Sequence, residues 1–232
     1  MQSMTSVTAA LAFGPASEKT AALISRLRRL AATPPRPPGA AQEKCDFCGA
    51  LIPAEHRHFA DLTQMRFLCA CELCAVRQAE CGEFKPLPQR QLRLEGFHLP
   101  DELWRRFQIP VEMAFFTFSS LRQRVLAFYP APTGATESEL RLDAWAELVA
   151  SNPVLRQLTP DLEALLINRT ALRTEREDGG AAPACYLVPI DTCYRLVGLI
   201  RTSWHGISGG QEVFETIRDF FAALKERSSC QI

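Results

Sequence analysis

Cys45-Asp-Phe-Cys48-Gly49 and Cys69-Ala-Cys71-Glu-Leu-Cys74, joined by a segment that includes His56 and His58, form the stretch on which the reading of this chain turns. With Cys81 it gathers six of the nine cysteines and two of the four histidines in a chain of 232 residues. Two residues between thiolates let one tight turn aim both sulfurs at a single ion, and two such pairs across a hairpin mark a tetrahedral zinc site. Residues 55–61 and 64–70 suit the two strands of that hairpin, with Leu62 and Thr63 at its turn and Phe59 and Phe67 for a small core. A module of this size cannot hold together by apolar burial alone. A structural zinc supplies roughly 10 to 16 kcal/mol of apparent binding free energy, which becomes folding energy.

The expected ligands are Cys45, Cys48, Cys71 and Cys74. Cys69 and His58 are the alternatives, either replacing a member or forming a second, weaker site. Cys69 and Cys71 lie two apart, as do His56 and His58, so on a strand each pair shares a face. The plainer reading makes His56 and His58 a polar strand face, and Cys69 and Cys81 free thiols. Disulfides are disfavoured by the odd cysteine count and the lack of a secretory signal. Four sulfurs can also hold iron or an iron–sulfur cluster. Ala75 stands where a rubredoxin-type knuckle would have glycine, and Cys69-x-Cys71-x-x-Cys74 lacks the even spacing of bacterial ferredoxins. Zinc is therefore the expected metal, and iron or an iron–sulfur cluster the alternative.

Outward from this stretch, 26 basic residues balance 26 acidic ones, so no overall field draws the chain to nucleic acid or to an anionic membrane. No apolar run is long enough to span a bilayer, and free thiols fit a reducing cytoplasm. Four parts are expected: a disordered tail over 1–16, an amphipathic helix and Pro-rich linker over 17–39, a zinc-ribbon-like module over 40–88, and an α+β domain over 89–232. In the first helix Leu23, Ile24, Leu27 and Leu30 share one face, with Arg26, Arg28 and Arg29 off it.

The body opens with strand-prone runs at 111–119 and 124–129, followed by a loop over 130–138. A helix over 143–150 stops at Asn152-Pro153, 161–169 can be strand or helix and leans to strand, and a flexible loop at 175–182 precedes a strand at 184–189. Asp191 reads as the cap of a helix that buries Cys193, Leu196, Val197 and Ile200. Ser208 and Gln211 have capping-box spacing before a helix with Val213, Phe214, Ile217, Phe220, Phe221 and Leu224 on its apolar face. The expected fold class is α+β: a zinc-ribbon-like metal module appended to a small antiparallel or mixed sheet of three or four strands, packed with two C-terminal helices.

Phe115-Phe116, Phe128-Tyr-Pro-Ala-Pro-Thr-Gly-Ala-Thr-Glu-Ser138, Pro160-Asp-Leu-Glu-Ala-Leu-Leu-Ile-Asn-Arg169, Val188-Pro-Ile-Asp-Thr-Cys-Tyr-Arg-Leu-Val-Gly198 and Trp204-His-Gly-Ile-Ser-Gly-Gly210, together with the cysteine motifs, resemble an uncharacterised bacterial family. That family is encoded beside actinobacterial-type, high-affinity uptake NiFe hydrogenases. The resemblance implies a role in hydrogenase assembly or function, with hydrogenase subunits or maturation factors as protein partners.

From the residues themselves, no catalytic signature stands out, and a non-enzymatic accessory protein is the first expectation. An electron carrier with cysteine-ligated iron is the second. The best case for an enzyme is a candidate anion site at Ser208, Gly209 and Gly210, near Arg201 and His205. Asn168, Asp191 and Arg195 form a weaker polar set, and a nucleic-acid role ranks last. Metal identity, the fourth ligand among Cys69, Cys71 and His58, the partner subunit and the oligomeric state are left open by the sequence.

Overall fold

Residues 164–167 run Ala-Leu-Leu-Ile without a polar break, and a strand that is apolar on both faces must be covered on both. The computed structural model, which describes residues 43–139, 141–170, 183–206 and 209–231, puts this run at the centre of a sheet. The expected tail, first helix and linker, and the loop at 175–182, lie outside the described residues.

The chain forms β1 (Arg57–Asp61), β2 (Arg66–Ala70), α1 (Glu72–Cys81), β3 (Lys85–Pro86), β4 (Leu92–Leu94), α2 (Asp101–Arg106), β5 (Met113–Ser119), β6 (Arg124–Ala131) and β7 (Gly134–Ser138). It continues with α3 (Leu142–Ser151), a 3-10 turn (Pro153–Gln157), β8 (Glu163–Asn168), β9 (Ala184–Pro189), α4 (Ile190–Ser203), α5 (Gly210–Arg227) and β10 (Ser229–Gln231). The fold is α+β, with strand order β2-β1-β3 in a small sheet and β10-β4-β9-β8-β5-β6-β7 in a large one. All pairs are antiparallel except β10 with β4.

The large sheet has more strands than the three or four expected. Residues 130–138, expected as a loop, complete a hairpin in which Pro130 pairs with Ala135 and Tyr129 with Thr136. Pro130 lies near the end of β6, past Phe128 where the pairing with β5 stops, so only β7 flanks it and its missing donor is tolerated; the proline signal misleads there. β4 and β10 are three residues each, too short to show a period.

The two faces bury different layers. Phe115, Leu166, Tyr186 and Val188 pack under α4 and α5 through Cys193, Leu196, Val197, Ile200, Val213, Phe220, Phe221 and Leu224. Phe116, Leu165, Ile167 and Leu187 pack on the opposite side against Leu103, Trp104, Phe107, Ala144 and Leu148 of α2, α3 and their flanks. The second helical layer is additional to the two C-terminal helices expected. Phe214, expected on the apolar face of α5, is 63% exposed. Asn152 joins α3 to the β4–α2 loop: its Nδ2 donates to the carbonyls of His98 and Leu148, both at 2.9 Å, and its Oδ1 accepts the His98 N–H at 2.8 Å. No helix among the described residues is long and apolar enough to cross a membrane.

Residues from Glu43 onward fall in one compact unit. The small sheet meets the large one through Ala60 and Leu87, which join the α4–α5 core. A run of rings continues the contact: Phe67 to Tyr194 at 5.5 Å, Tyr194 to Phe115 at 5.6 Å and Phe115 to Phe128 at 5.2 Å.

Glu163 is fully buried at the start of β8, and Arg90 holds both its oxygens, Nε to Oε1 at 2.6 Å and a terminal nitrogen to Oε2 at 2.8 Å. Burial alone would raise this carboxyl, but Arg90 and the Thr159 N–H outweigh it and leave it below its ordinary value. Replacing Arg90 by Met strands a buried carboxylate and is expected to cost about 3 kcal/mol at pH 7 in urea unfolding. In the native chain the stabilisation is complete above the unfolded glutamate value of about 4.3 and is lost as pH falls through the lower folded value, so the two proteins converge in acid. Parallel stability curves from pH 7 to pH 2 would contradict this.

Candidate metal centre

The first cysteine pair sits on a knuckle. The Gly49 N–H donates to the Cys45 carbonyl at 2.8 Å and the Cys45 N–H to the Ala50 carbonyl at 2.8 Å, while Gly49 takes φ 73°, a left-handed turn that a side chain would strain. The hairpin β1–β2 then carries the chain out and back. Asp61 closes its turn: Oδ1 accepts the N–H groups of Thr63 and Gln64 at 3.1 and 3.0 Å, and Arg66 Nε reaches Oδ2 at 3.2 Å.

The second pair is not on a knuckle. Cys71 is the N-cap of α1 and Cys74 lies in its first turn, where the Ala75 N–H donates to the Cys71 carbonyl at 2.8 Å. The unsatisfied N–H groups of a helix start favour thiolate, so the helix does here what a second knuckle does in a ribbon. This also explains Ala75, because a helical turn needs no glycine. A helix at 72–81 was not expected from the sequence.

The Sγ atoms of Cys45, Cys48, Cys71 and Cys74 lie within 4.8 Å of one another, and Cys48 and Cys71 are 3.7 Å apart. A tetrahedral ion with sulfur ligands at about 2.3 Å requires sulfur–sulfur edges of about 3.8 Å. The donor set therefore fits one metal ion, and each of the four is a free thiol. Burial alone would raise the Cys45 thiol, but the N–H groups of Cys71, Phe47 and Cys48 outweigh it and bring it down to about 6. Cys74 is pushed up to about 12, first by its contact with Cys71, then by burial and by Cys48 and Cys45. Negative charge on several sulfurs this close together is opposed by mutual repulsion, and a divalent cation reverses that balance.

The alternative ligands lie elsewhere. Cys69 faces His58 across the hairpin and, with His56, forms a separate group whose ligand atoms are within 4.8 Å of one another. Cys69 and Cys71 do not act together, because β2 ends at Ala70 and the strand alternation ends with it. Burial and the carboxylates of Asp46 and Glu43 push the Cys69 thiol up to about 11. His58 Nδ1 is 2.5 Å from Asp191 Oδ2, and His58 Nε2 is 2.8 Å from His56 Nε2. Asp191 is thus in the first turn of α4, whose N-cap is Pro189, and it serves His58 in addition to the Thr192 N–H. The hydrogen bond to Asp191 raises the His58 value despite burial.

The remaining candidates are placed as follows. Cys81 is exposed at the end of α1, and Cys185 and Cys193 are buried in the body. Ser208 lies outside the described residues, and the N-cap of α5 is Gly209. Gly209 is required by its φ of 88° and by packing, since a Cβ there would meet Val213 at 2.9 Å. Asn168 Oδ1 accepts from the Thr170 N–H and hydroxyl, and Asn168 does not join Asp191. The sequence offered His56 and His58 by their spacing and Asp191 as a helix cap, but nothing in it pairs His58 with Asp191, 133 residues away.

Residues 44–228 match DUF5947, a family of unknown function. The chain belongs to that family. It matches no curated protein and no solved structure.

Among the described residues, Phe59, Leu68 and Ala70 alone are buried in the core beneath the cysteine cluster. Removing the metal with a strong chelator, or replacing Cys45 by Ser, is expected to raise amide exchange across residues 45–81 to near that of unfolded chain while β8 and β9 stay protected. Exchange mass spectrometry checks this, and unchanged protection over 45–81 would show that apolar contacts alone suffice.

Proposed function

We propose that the chain is a non-enzymatic accessory protein in which Cys45, Cys48, Cys71 and Cys74 hold one zinc ion, and in which the ordered ribbon docks on partner proteins. The observation that carries the reading is the set of four sulfurs within 4.8 Å, with an edge of 3.7 Å that suits a mononuclear site. A cluster would set its thiolates farther apart, because bridging sulfides and further irons lie between them. Zinc would supply folding energy and rigidity there.

Docking is supported by apolar side chains that the ribbon leaves outward. Leu73 is 85% exposed, Val76 61% and Met65 77%, and α1 buries none of its residues. An otherwise rigid element that spends leucine and valine on solvent suits a protein surface. By the resemblance noted above, the partners are NiFe hydrogenase subunits or maturation factors; the free thiols suit a reducing cytoplasm as the setting. The ribbon at 40–88 and the α+β domain at 89–232 divide the work: the first presents the surface and the second holds it.

Anaerobic purification with metal analysis and a visible spectrum tests the metal. The ion lost on Cys74→Ser is expected to be zinc, from a colourless protein; iron with thiolate charge-transfer bands would make the protein a redox partner instead. Co-purification with hydrogenase subunits tests the docking. Leu73→Glu with Val76→Glu is expected to abolish capture without changing zinc content or melting temperature, and undiminished capture would move the surface elsewhere.

A further inference from the structure

The hairpin has two faces, and its second face carries a second constellation. His56 Nδ1 lies 2.9 Å from the Pro53 carbonyl, which can only accept, so this nitrogen bears the hydrogen. His58 Nδ1 lies against the Asp191 carboxylate and donates as well. In the neutral rings, then, both Nε2 atoms carry lone pairs. They face each other at 2.8 Å, with the ring planes at 82°. Two lone pairs cannot hold that distance without something positive between them.

Cys69 supplies a third donor from the strand opposite, and its backbone is clamped, the N–H to Asp46 Oδ2 at 2.6 Å and the carbonyl to the Asp46 N–H at 2.8 Å. Around the three donors stand carboxylates: Asp191 on His58, and Glu43 at 3.5 Å from His56 Nδ1. A histidine that gives its second N–H to a carboxylate, and another that gives it to a carbonyl, have the outer-shell arrangement of metal-bound imidazoles. A tetrahedral ion with nitrogens at about 2.05 Å separates them by about 3.3 Å, so the rings need open by only about half an ångström.

We propose that His56 Nε2, His58 Nε2 and Cys69 Sγ form a second metal site, distinct from the four-cysteine centre, that takes a divalent ion of borderline softness such as zinc and leaves one coordination position open. Two nitrogens and one thiolate suit zinc over the hard ions, which prefer oxygen. Three protein ligands are the pattern of sites that keep a place for water or an exogenous ligand, whereas closed four-ligand sites are structural. A cleft of about 580 Å³ lined by His56, His58, Glu55 and Glu72 gives access to the imidazoles. His56 is nearly enclosed, its side chain 3% exposed, and His58 is partly open at 32%.

Zinc titration of the full chain against a chromophoric chelator, with total metal by mass spectrometry, tests the site. The native protein is expected to bind two equivalents, and His58→Ala and Cys69→Ser one each, with the far-ultraviolet dichroism and the tight equivalent retained. Asp191→Asn positions the ring less well and is expected to weaken the second equivalent by about 10- to 100-fold without abolishing it. Cobalt in place of zinc supplies a further readout, since filling the second site adds ligand-field bands that His58→Ala removes. A single equivalent in the native protein would overturn the site and leave the histidines sharing a proton. A second equivalent that survives both His58→Ala and Cys69→Ser would also overturn it, by placing the ion elsewhere. Neither result touches the four-cysteine centre, whose equivalent is the one lost with Cys74→Ser.

Discussion

Four sulfur atoms held within 4.8 Å of one another cannot all carry charge unless a cation joins them. This constraint orders the N-terminal part of the described chain. The knuckle at Gly49 and the start of α1 bring two pairs of thiols from opposite directions to one point, and the hairpin between them sets the distance. Beneath them, among the described residues, Phe59, Leu68 and Ala70 are the buried core, with Phe47 and Phe84 at its edge. So little apolar surface leaves most of the ordering to the ion.

Once one face of the hairpin belongs to the cysteine centre, period two gives the other face to the body of the protein. Phe59 and Leu68 are opposite each other and point to the small core; His58 with Cys69, and Ala60 with Phe67, are opposite each other on the reverse side. That reverse side meets α4. Tyr194 takes Phe67, and Asp191, three residues earlier on the same helix, takes His58. The first turn of α4 is therefore shared between closing the large sheet, through the buried Cys193, and seating the ribbon.

The sequence was legible where a residue pattern acts locally. The Cys-x-x-Cys spacings located the four-sulfur centre, and the apolar runs read at 111–119, 161–169 and 184–189 hold strands at Met113–Ser119, Glu163–Asn168 and Ala184–Pro189. It was illegible where partners are distant or elements are short. Nothing local joins Asp191 to His58 or Arg90 to Glu163, and β4 and β10 are too brief to show a period. α1 was missed for a different reason. Its sequence, Glu-Leu-Cys-Ala-Val-Arg-Gln-Ala-Glu-Cys, has good helix formers but buries none of them, so no amphipathic stripe announces it. The run at 130–138 shows the converse, since prolines that forbid a central strand are permitted toward the edge of a sheet. Phe67 was assigned to the wrong core because the hairpin was read as having one interior, when it has two.

Two polar partnerships, one in the large sheet and one on the hairpin, make a contrast that bears on how the ribbon is held. Glu163 is wholly inside and receives a bidentate arginine and a backbone N–H, so its polar atoms are satisfied by the chain alone. The His56–His58–Cys69 group is held as firmly on its outer side, by Pro53, Asp191 and Asp46, yet its two inner nitrogens have only each other at 2.8 Å, a contact that needs a proton or a metal ion between them. A buried polar group that the fold leaves without a partner costs free energy, and it persists where something outside the chain completes it. The apolar contact nearby is thin, for Phe67 and Tyr194 are each 37% exposed. The seat of the ribbon on α4 therefore joins polar chemistry to the buried contacts of Ala60 and Leu87, and a ligand that completes the histidine pair acts on the joint between the two sheets.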